Sequence, residues 1–399
     1  MNSIRKLYCR LFQFVFKLAL PVLPYRNPKI MKQIEDLPSL LKKNQFVRPL
    51  IVTDEGIYKL GLTNSLETLL KNEKISFYLY ANVVANPTTQ QVEEAMQLYL
   101  YEKCDCLIGL GGGSAIDCAK AVGARIARPK KTLNQLKGIL KIRKKIPFLI
   151  AIPTTAGTGS ETTLAAVIVD SKTRHKYAIN DFPLIPRVAV LDEAFTASLP
   201  KFVVATTGLD ALTHAIEAFL GKSGNRSTKK DALNAMKLIF NYLEPAYFTG
   251  DEVSRRQMLY AAHLAGRSFS KAYVGYVHAI AHSLGGAYNI PHGLANAVLL
   301  PIVLKQYGKV IYKKLYQIAV YCQLADENTS LEVAAQRIIE KIELFNKKFS
   351  IPSKFPIEKK DIEQLASYAD KEANPLYPVP VLYNRLQLMD IYLKAGDFK

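Results

Sequence analysis

Three of the chain's six histidines fall in one short stretch, Val277-His278-Ala279-Ile280-Ala281-His282-Ser283-Leu284-Gly285-Gly286-Ala287-Tyr288-Asn289-Ile290-Pro291-His292-Gly293. His278 and His282 are four apart, so a helix carries them on one face, one turn above the other. The Gly285-Gly286 pair is expected to stop that helix, and Ile290-Pro291 to turn the chain so that His292 arrives from a loop. A second pair lies upstream in Thr207-Gly208-Leu209-Asp210-Ala211-Leu212-Thr213-His214-Ala215-Ile216-Glu217, where Asp210 and His214 again share a helical face. A carboxylate and imidazoles converging from two segments suit Fe(II) or Zn(II) and leave a position for a substrate oxygen. Glu217, nearly one turn past His214, is either a partner to a ligand or an exposed acid. Any fold for this chain has to bring these segments together.

The first half has a different rhythm. Apolar, strand-like runs at 48–54, 75–80, 106–110, 148–152 and 188–192 alternate with helical stretches, an α/β pattern. Asn86-Pro87-Thr88 makes a turn and caps a helix over 89–103. The run at 106–110 leads straight into Gly111-Gly112-Gly113-Ser114-Ala115-Ile116-Asp117. Glycines there let the backbone approach a pyrophosphate, and the helix starting near Ser114 aims free N–H groups at it. The turn departs from the Rossmann fingerprint, which wants an acid about twenty residues further on, where this chain is basic. The acid is instead at the end of the earlier strand, at Asp54. The run at 148–152 ends in Pro153-Thr154-Thr155-Ala156-Gly157-Thr158-Gly159-Ser160-Glu161, whose hydroxyls can bond phosphate and ribose oxygens without blocking a flat ring. From Lys201 the pattern is helical almost throughout. The expected organisation is therefore an extension over 1–45, a dinucleotide-binding domain over 46–195 and a helical metal and substrate domain over 196–399.

The blocks containing Asp210 to Glu217, His278 to Gly285 and Pro291-His292-Gly293-Leu294-Ala295-Asn296, together with those at Gly111 and Pro153, resemble the iron-containing alcohol dehydrogenase family. The five blocks stand in the family's order between Gly111 and Asn296, with weaker similarity from about residue 50 to near the C-terminus. The resemblance implies a Rossmann-like α/β nucleotide-binding domain followed by an all-helical metal domain, the plan shared with dehydroquinate synthase. It implies hydride transfer between a small alcohol or aldehyde and a nicotinamide cofactor. It assigns Fe(II) to Asp210, His214, His278 and His292; the donor set suits Zn(II) as well. Since all four ligands are kept, metal dependence is expected. His282 is left as a proton-transfer group in the substrate pocket. An acid at the position of Asp54 contacts the adenosine ribose in the family and disfavours the extra phosphate of NADP, so NAD is the expected cofactor. The other expected cofactor contacts are Asn86, Gly111, Gly112, Gly113, Ser114, Asp117, Thr154, Thr155, Thr158, Ser160 and Lys176. Phe269, Tyr273 and Tyr276 are read as walls of the substrate pocket.

Charge and cysteine content bound the partners. The chain carries a net charge of +19, concentrated in the first fifty residues and between Arg128 and Lys145, yet no nucleic-acid motif accompanies either group. Solvated basic faces are the reading, and no nucleic-acid partner is expected. Five cysteines without a Cys-x-x-Cys pair argue for a reducing, cytoplasmic setting. Cys104, Cys106 and His263 are read as buried core residues and His175 as a surface one. Residues 7–23 are rich in Leu, Phe and Val but interrupted by Arg10 and Lys17, short of the ~20 apolar residues a spanning helix needs. Two readings of this segment stand: a helix lying on the inner membrane surface, or an extension packed on its own domain or on a second subunit of an expected homo-oligomer. Two rival functions stand beside the dehydrogenase. One is a lyase related to dehydroquinate synthase, which needs several cations at a phosphorylated substrate where only Arg267 and Lys271 are near. The other is a membrane-surface binding protein that retains the fold.

Overall fold

A computed structural model describes residues 3–173 and 175–398. The chain divides into an α/β unit, Pro24–Leu199, and a helical unit formed by Pro200–Lys399 with the N-terminal segment through Leu23. In the α/β unit the strands are β1 (Lys29–Met31), β2 (Pro49–Asp54), β3 (Tyr78–Val83), β4 (Cys106–Gly111), β5 (Gly138–Ile139), β6 (Phe148–Pro153), β7 (Ala165–Val169), β8 (Lys176–Asn180) and β9 (Val188–Val190). Six form one parallel sheet in the order β1-β9-β6-β4-β2-β3. The central strands are apolar on both faces because helices cover both. Leu50, Val52, Leu107 and Leu149 enter one core with Cys118 and Val122, while Ile51, Ile108, Ile150 and Val188 enter another with Leu37, Leu66 and Leu70. Connections leave β2 and β4 in opposite directions across the sheet, so the carboxyl ends carrying Asp54 and Gly111 form the switch point where such sheets bind ligands.

Four strands of this unit, β1, β5, β7 and β8, lie outside the apolar runs picked out in the sequence. β7 and β8 form an antiparallel pair, with β5 alongside β8. β1 is a three-residue edge strand paired with β9, and Ile34, Leu37 and Leu41 lie in the core. The expected extension over 1–45 therefore does not stand apart: residues 24–45 belong to the α/β unit and those through Leu23 to the helical one. A strand of three residues has no periodicity to read; its pairing partner lies far away in sequence.

The helix Gly113–Ala127 is pinned to the threonine-rich turn by a lysine with no exposed surface. Lys120 Nζ donates to Ser160 Oγ at 2.9 Å, Thr163 Oγ1 at 2.8 Å and the Ala165 carbonyl at 2.7 Å, with Asp117 Oδ1 at 3.5 Å. Asp117 in turn accepts from Ser160 Oγ at 2.6 Å and from the Val167 N–H at 3.0 Å. Burial pulls the Lys120 pKa down, and the neighbouring Asp117 opposes that pull.

In the helical unit, two local expectations are corrected. The helix Tyr276–Tyr288 runs through Gly285-Gly286 and ends at Asn289, which takes the left-handed conformation at φ 53°. Two helical glycines weaken a helix without breaking it when its other face is packed, and Asn289 followed by Pro291 supplies the stop. His292 accordingly comes not from a loop but as the first residue of the helix His292–Tyr307. That helix start lies close against Lys201–Leu220: a Cβ on Gly293 would stand 2.4 Å from the Thr206 carbonyl oxygen.

Replacing Lys120 with Met strips buried acceptors of their donor, and we expect a loss of about 3 kcal/mol in unfolding free energy. Chemical denaturation followed by circular dichroism measures it; an unchanged midpoint would mean that the network contributes nothing to stability.

Candidate active site

The helix Lys201–Leu220 is buried along its whole second half, from Gly208 to Leu220. Asp210 and His214 project from it on one face, His278 from the helix Tyr276–Tyr288 and His292 from the start of the next. The four offer ligand atoms that all lie within 4.8 Å of one another. His292 Nε2 is 3.5 Å and His278 Nε2 3.9 Å from Asp210 Oδ1. Donors in a tetrahedral divalent site stand about 3.4 Å apart, which the His292–Asp210 and His278–Asp210 separations approach, so the four residues would suit such an ion. The rings are held by stacking: His214 lies between Phe269, at 4.0 Å and 10°, and His278, at 4.4 Å and 27°.

Glu217 resolves the choice left open by the sequence. It is buried, and its carboxyl oxygens accept the Gly275 N–H at 2.7 Å and the Val277 N–H at 2.8 Å, with His278 Nδ1 2.6 Å from Oε2. A proton held on Nδ1 by Glu217 would leave the His278 Nε2 lone pair facing Asp210 and the other ligands. Burial, and then the neighbouring imidazoles, hold the His278 pKa well below the ordinary value, so the ring is neutral and able to ligate. Burial pushes the Glu217 carboxyl up to about 8, against the pull of the backbone N–H groups of Gly275, Val277 and His278. A Cβ on Gly275 would come within 2.7 Å of Glu217 Oε1, so this close approach requires glycine.

His282 sits beside the cluster, its ring 5.1 Å from His292 and nearly parallel at 20°. Its Nδ1 meets Glu372 Oε1 at 2.6 Å, and Tyr377 Oη donates to the same oxygen at 2.7 Å. Burial pushes the Glu372 carboxyl up, but the charge and hydrogen bond of His282 and the bond from Tyr377 outweigh it and hold the group below its usual range. Two residues of this region carry no sequence assignment. Glu372 is ninety positions from His282 and no local spacing announces it. Asn296 was legible as the i+4 neighbour of His292, once His292 is known to start a helix; its Nδ2 lies 2.6 Å from Asp210 Oδ1 and 3.2 Å from His292 Nε2. Of the three expected wall residues, Phe269 stacks on His214. Tyr276 is instead fully buried, bonded to Asn374 and the Tyr383 N–H, and Tyr273 packs against Phe16 and Tyr377. The other two histidines fall as read, His263 in the core and His175 exposed.

The α/β unit places most of the remaining expected residues at the carboxyl ends of β2, β4 and β6, with Asn86 just past β3 and Lys176 at the start of β8. Gly111 has φ 148°, and a Cβ there would meet Ala115 at 2.7 Å and Asp54 Oδ2 at 3.2 Å. Asp54 Oδ1 accepts the Ile57 N–H at 2.9 Å. A Cβ on Gly112 would touch Thr155 at 3.5 Å and one on Gly113 would touch Thr158 at 3.1 Å, so the glycine and threonine turns face each other. Among the described residues, no side chain caps the helix Gly113–Ala127, and the buried hydroxyls of Thr154 and Thr155 have no hydrogen-bond partner. Unused donors at a helix start and idle hydroxyls beside it fit a pyrophosphate. Ser114 Oγ accepts the Asn86 N–H at 3.2 Å, and Lys176 Nζ reaches Asn86 Oδ1 at 2.6 Å, which ties these three together. Asp117 and Ser160 are engaged with each other and Lys120, so their side chains join the turn to the helix rather than standing open.

The chain matches two family models, iron-containing alcohol dehydrogenase over residues 30–193 and the C-terminal part of the Fe-containing alcohol dehydrogenase family over 204–396. It is 35% identical to the NAD-dependent methanol dehydrogenase of Bacillus methanolicus over 343 residues, covering 84% of this chain and 89% of that protein. It is 36% identical to the NADPH-dependent butanol dehydrogenase of Clostridium saccharobutylicum over 323 residues, 80% of this chain and 81% of that one. A crystal structure of 1,3-propanediol oxidoreductase superposes with a TM-score of 0.89 at 32% identity, over 93% of this chain and 99% of the other.

If Glu217 fixes the His278 tautomer, Glu217→Gln weakens Fe(II) or Zn(II) binding by about 10- to 100-fold. Titration against a competing chelator measures this, with a melting curve to confirm folding; unchanged affinity in a folded variant would remove Glu217 from the metal's support.

Proposed function

The chain belongs to the iron-containing alcohol dehydrogenase family, and from that premise we propose that it is a metal-dependent dehydrogenase that interconverts small alcohols and aldehydes with NAD. The observation that carries the reading is the convergence of Asp210, His214, His278 and His292, with Glu217 directing one imidazole lone pair inward. These four residues would hold Fe(II), or Zn(II) in its place. When bound, the ion supplies Lewis-acid polarisation of an alcohol or carbonyl oxygen, and the nicotinamide supplies the hydride acceptor or donor.

The chain's own residues supply the rest. Asp210 brings one negative charge among neutral imidazoles, so the ligand set leaves net positive charge on a divalent ion. His282 Nδ1–H is directed to Glu372, which leaves Nε2 to accept the hydroxyl proton of the alcohol. Its side chain is 39% exposed, so the proton has a way out to water, and the Glu372 carboxylate stabilises the imidazolium in between. In the reducing direction the same nitrogen returns the proton to the new alcohol.

On the α/β unit, the Gly111-Gly112-Gly113 turn and the helix behind it would take the pyrophosphate, with Ser114, Thr154, Thr155 and Thr158 bonding cofactor oxygens. Asn86 and Lys176, joined to Ser114, flank that turn. Asp117 and Ser160 act by holding the turn in shape. Asp54, beside Gly111, would bond ribose hydroxyls and repel a 2′-phosphate, which favours NAD over NADP. The lyase alternative loses ground, since Arg267, one of the two cations near the ligands, pairs with Asp231 at 3.1 Å.

Apo-protein reloaded anaerobically with Fe(II) or Zn(II) should reduce NAD with short primary alcohols or diols, and His278→Ala should not. A metal-loaded, NAD-binding protein that turns over neither alcohols nor aldehydes would overturn the reading. His282→Asn is expected to lower kcat by about 10²-fold with metal content unchanged; an unaltered kcat would remove it from proton transfer. Asp54→Asn, which keeps the helix cap but drops the charge, should shrink a preference for NAD over NADP of roughly tenfold or more, read as a ratio of kcat/KM values. An equal preference in both proteins would take the selectivity away from Asp54.

A further inference from the structure

The helix Ser3–Ala19 is docked with its polar side inward. Gln13, buried, donates to the Tyr377 carbonyl at 2.7 Å and the Pro375 carbonyl at 3.1 Å. Arg10 donates to the carbonyls of Val379 at 2.7 Å and Pro380 at 3.0 Å, and Arg5 pairs with Asp370 at 2.9 Å. Phe16 meets Tyr273 edge-on at 5.1 Å. These bonds fix the rotation of the helix about its axis.

The opposite face is an unbroken apolar stripe turned to solvent. Ile4, Leu7, Leu11, Phe14, Val15 and Leu18 recur at helical spacing and are 57–79% exposed. An amphipathic helix of a soluble domain normally buries that face; here the contacts through Arg5, Arg10 and Gln13 prevent it. Lys6 and Lys17, both exposed and three turns apart, lie along one flank of the helix, on the Arg10 side of the stripe. No acid precedes Glu35 in the chain.

We propose that this stripe is a membrane-docking surface: Ser3–Ala19 lies in the plane of an anionic lipid bilayer, its leucines and phenylalanine at the acyl boundary and Lys6 and Lys17 at the headgroup phosphates. At about 25 Å the helix suits lying along a surface, and long cationic side chains beside an apolar face reach up to headgroups as they do in interfacial helices. A second copy of the chain is the poorer occupant. Antiparallel pairing of two such helices sets Lys6 beside the second copy's Lys17 and Lys17 beside its Lys6, and in either direction the second helix offers no acid to offset them. The proposal concerns where the enzyme works and is independent of which alcohol it uses.

The test is flotation of the full-length, metal-loaded protein with phosphatidylcholine vesicles, with and without phosphatidylglycerol. The protein should float with the anionic vesicles. Changing Leu7, Leu11 and Leu18 together to Gln should lower partitioning by about tenfold or more, with melting temperature and turnover unchanged. Lys6→Gln with Lys17→Gln should weaken binding to anionic vesicles and leave any binding to neutral ones as it was. A wild-type chain that stays in the aqueous fraction with anionic vesicles overturns the proposal. So does a particle mass that halves in the three-leucine variant while vesicle binding does not change, which would assign the stripe to a second copy.

Discussion

The Glu217 carboxylate holds the helical unit's chemistry together. It closes the start of the helix Tyr276–Tyr288 by accepting from the Gly275 and Val277 N–H groups, and one of the same oxygens meets His278 Nδ1. A helix N-terminus carries unpaired donors and a partial positive charge, so a buried carboxylate there finds partners that a buried carboxylate otherwise lacks. The fold and the ligand tautomer are thus set by one group. Neither could be altered alone, because the glycine that admits the carboxylate, Gly275, has no room for a side chain.

Around it, the site repeats one device at two depths. His278, buried, gives its outer proton to Glu217; His282, half out in solvent, gives its own to Glu372. The difference in exposure separates two uses of the same pairing. Sealed from water, an imidazole keeps its lone pair for a cation; open to water, it can pick up a proton and release it. The α/β unit handles its polar groups differently. Lys120, Asp117 and Ser160 consume one another's hydrogen bonds inside the protein, while the hydroxyls of Thr154 and Thr155 beside them find no partner among the described residues. A rigid, satisfied network thus supports a turn whose outer donors are left for a ligand.

The N-terminal helix inverts the usual relation of sequence to burial. Arg10 and Gln13 serve backbone carbonyls of residues 375–380, where the chain between two helices has acceptors that no regular element satisfies. Those acceptors claim the polar side, and the leucines are left outside.

Much of this molecule was legible from its sequence. The i, i+4 spacing of Asp210 and His214, and the three histidines between Val277 and Gly293, announce a cation site because helical geometry converts spacing into a shared face. The strand-to-turn steps at Gly111 and Pro153 announce a nucleotide site because apolar runs of that length pair into a covered sheet. The tertiary structure decided what local spacing does not encode. It placed Glu372 against His282, buried Lys120, and paired the three residues of β1 with β9. It made Glu217 a partner rather than a surface acid and carried the helix through Gly285-Gly286 to start another at His292. It also chose which face of Ser3–Ala19 the protein keeps. Each of these depends on a partner distant in the chain, and a sequence records what a residue can bond to, whereas only the fold determines which partner comes within reach.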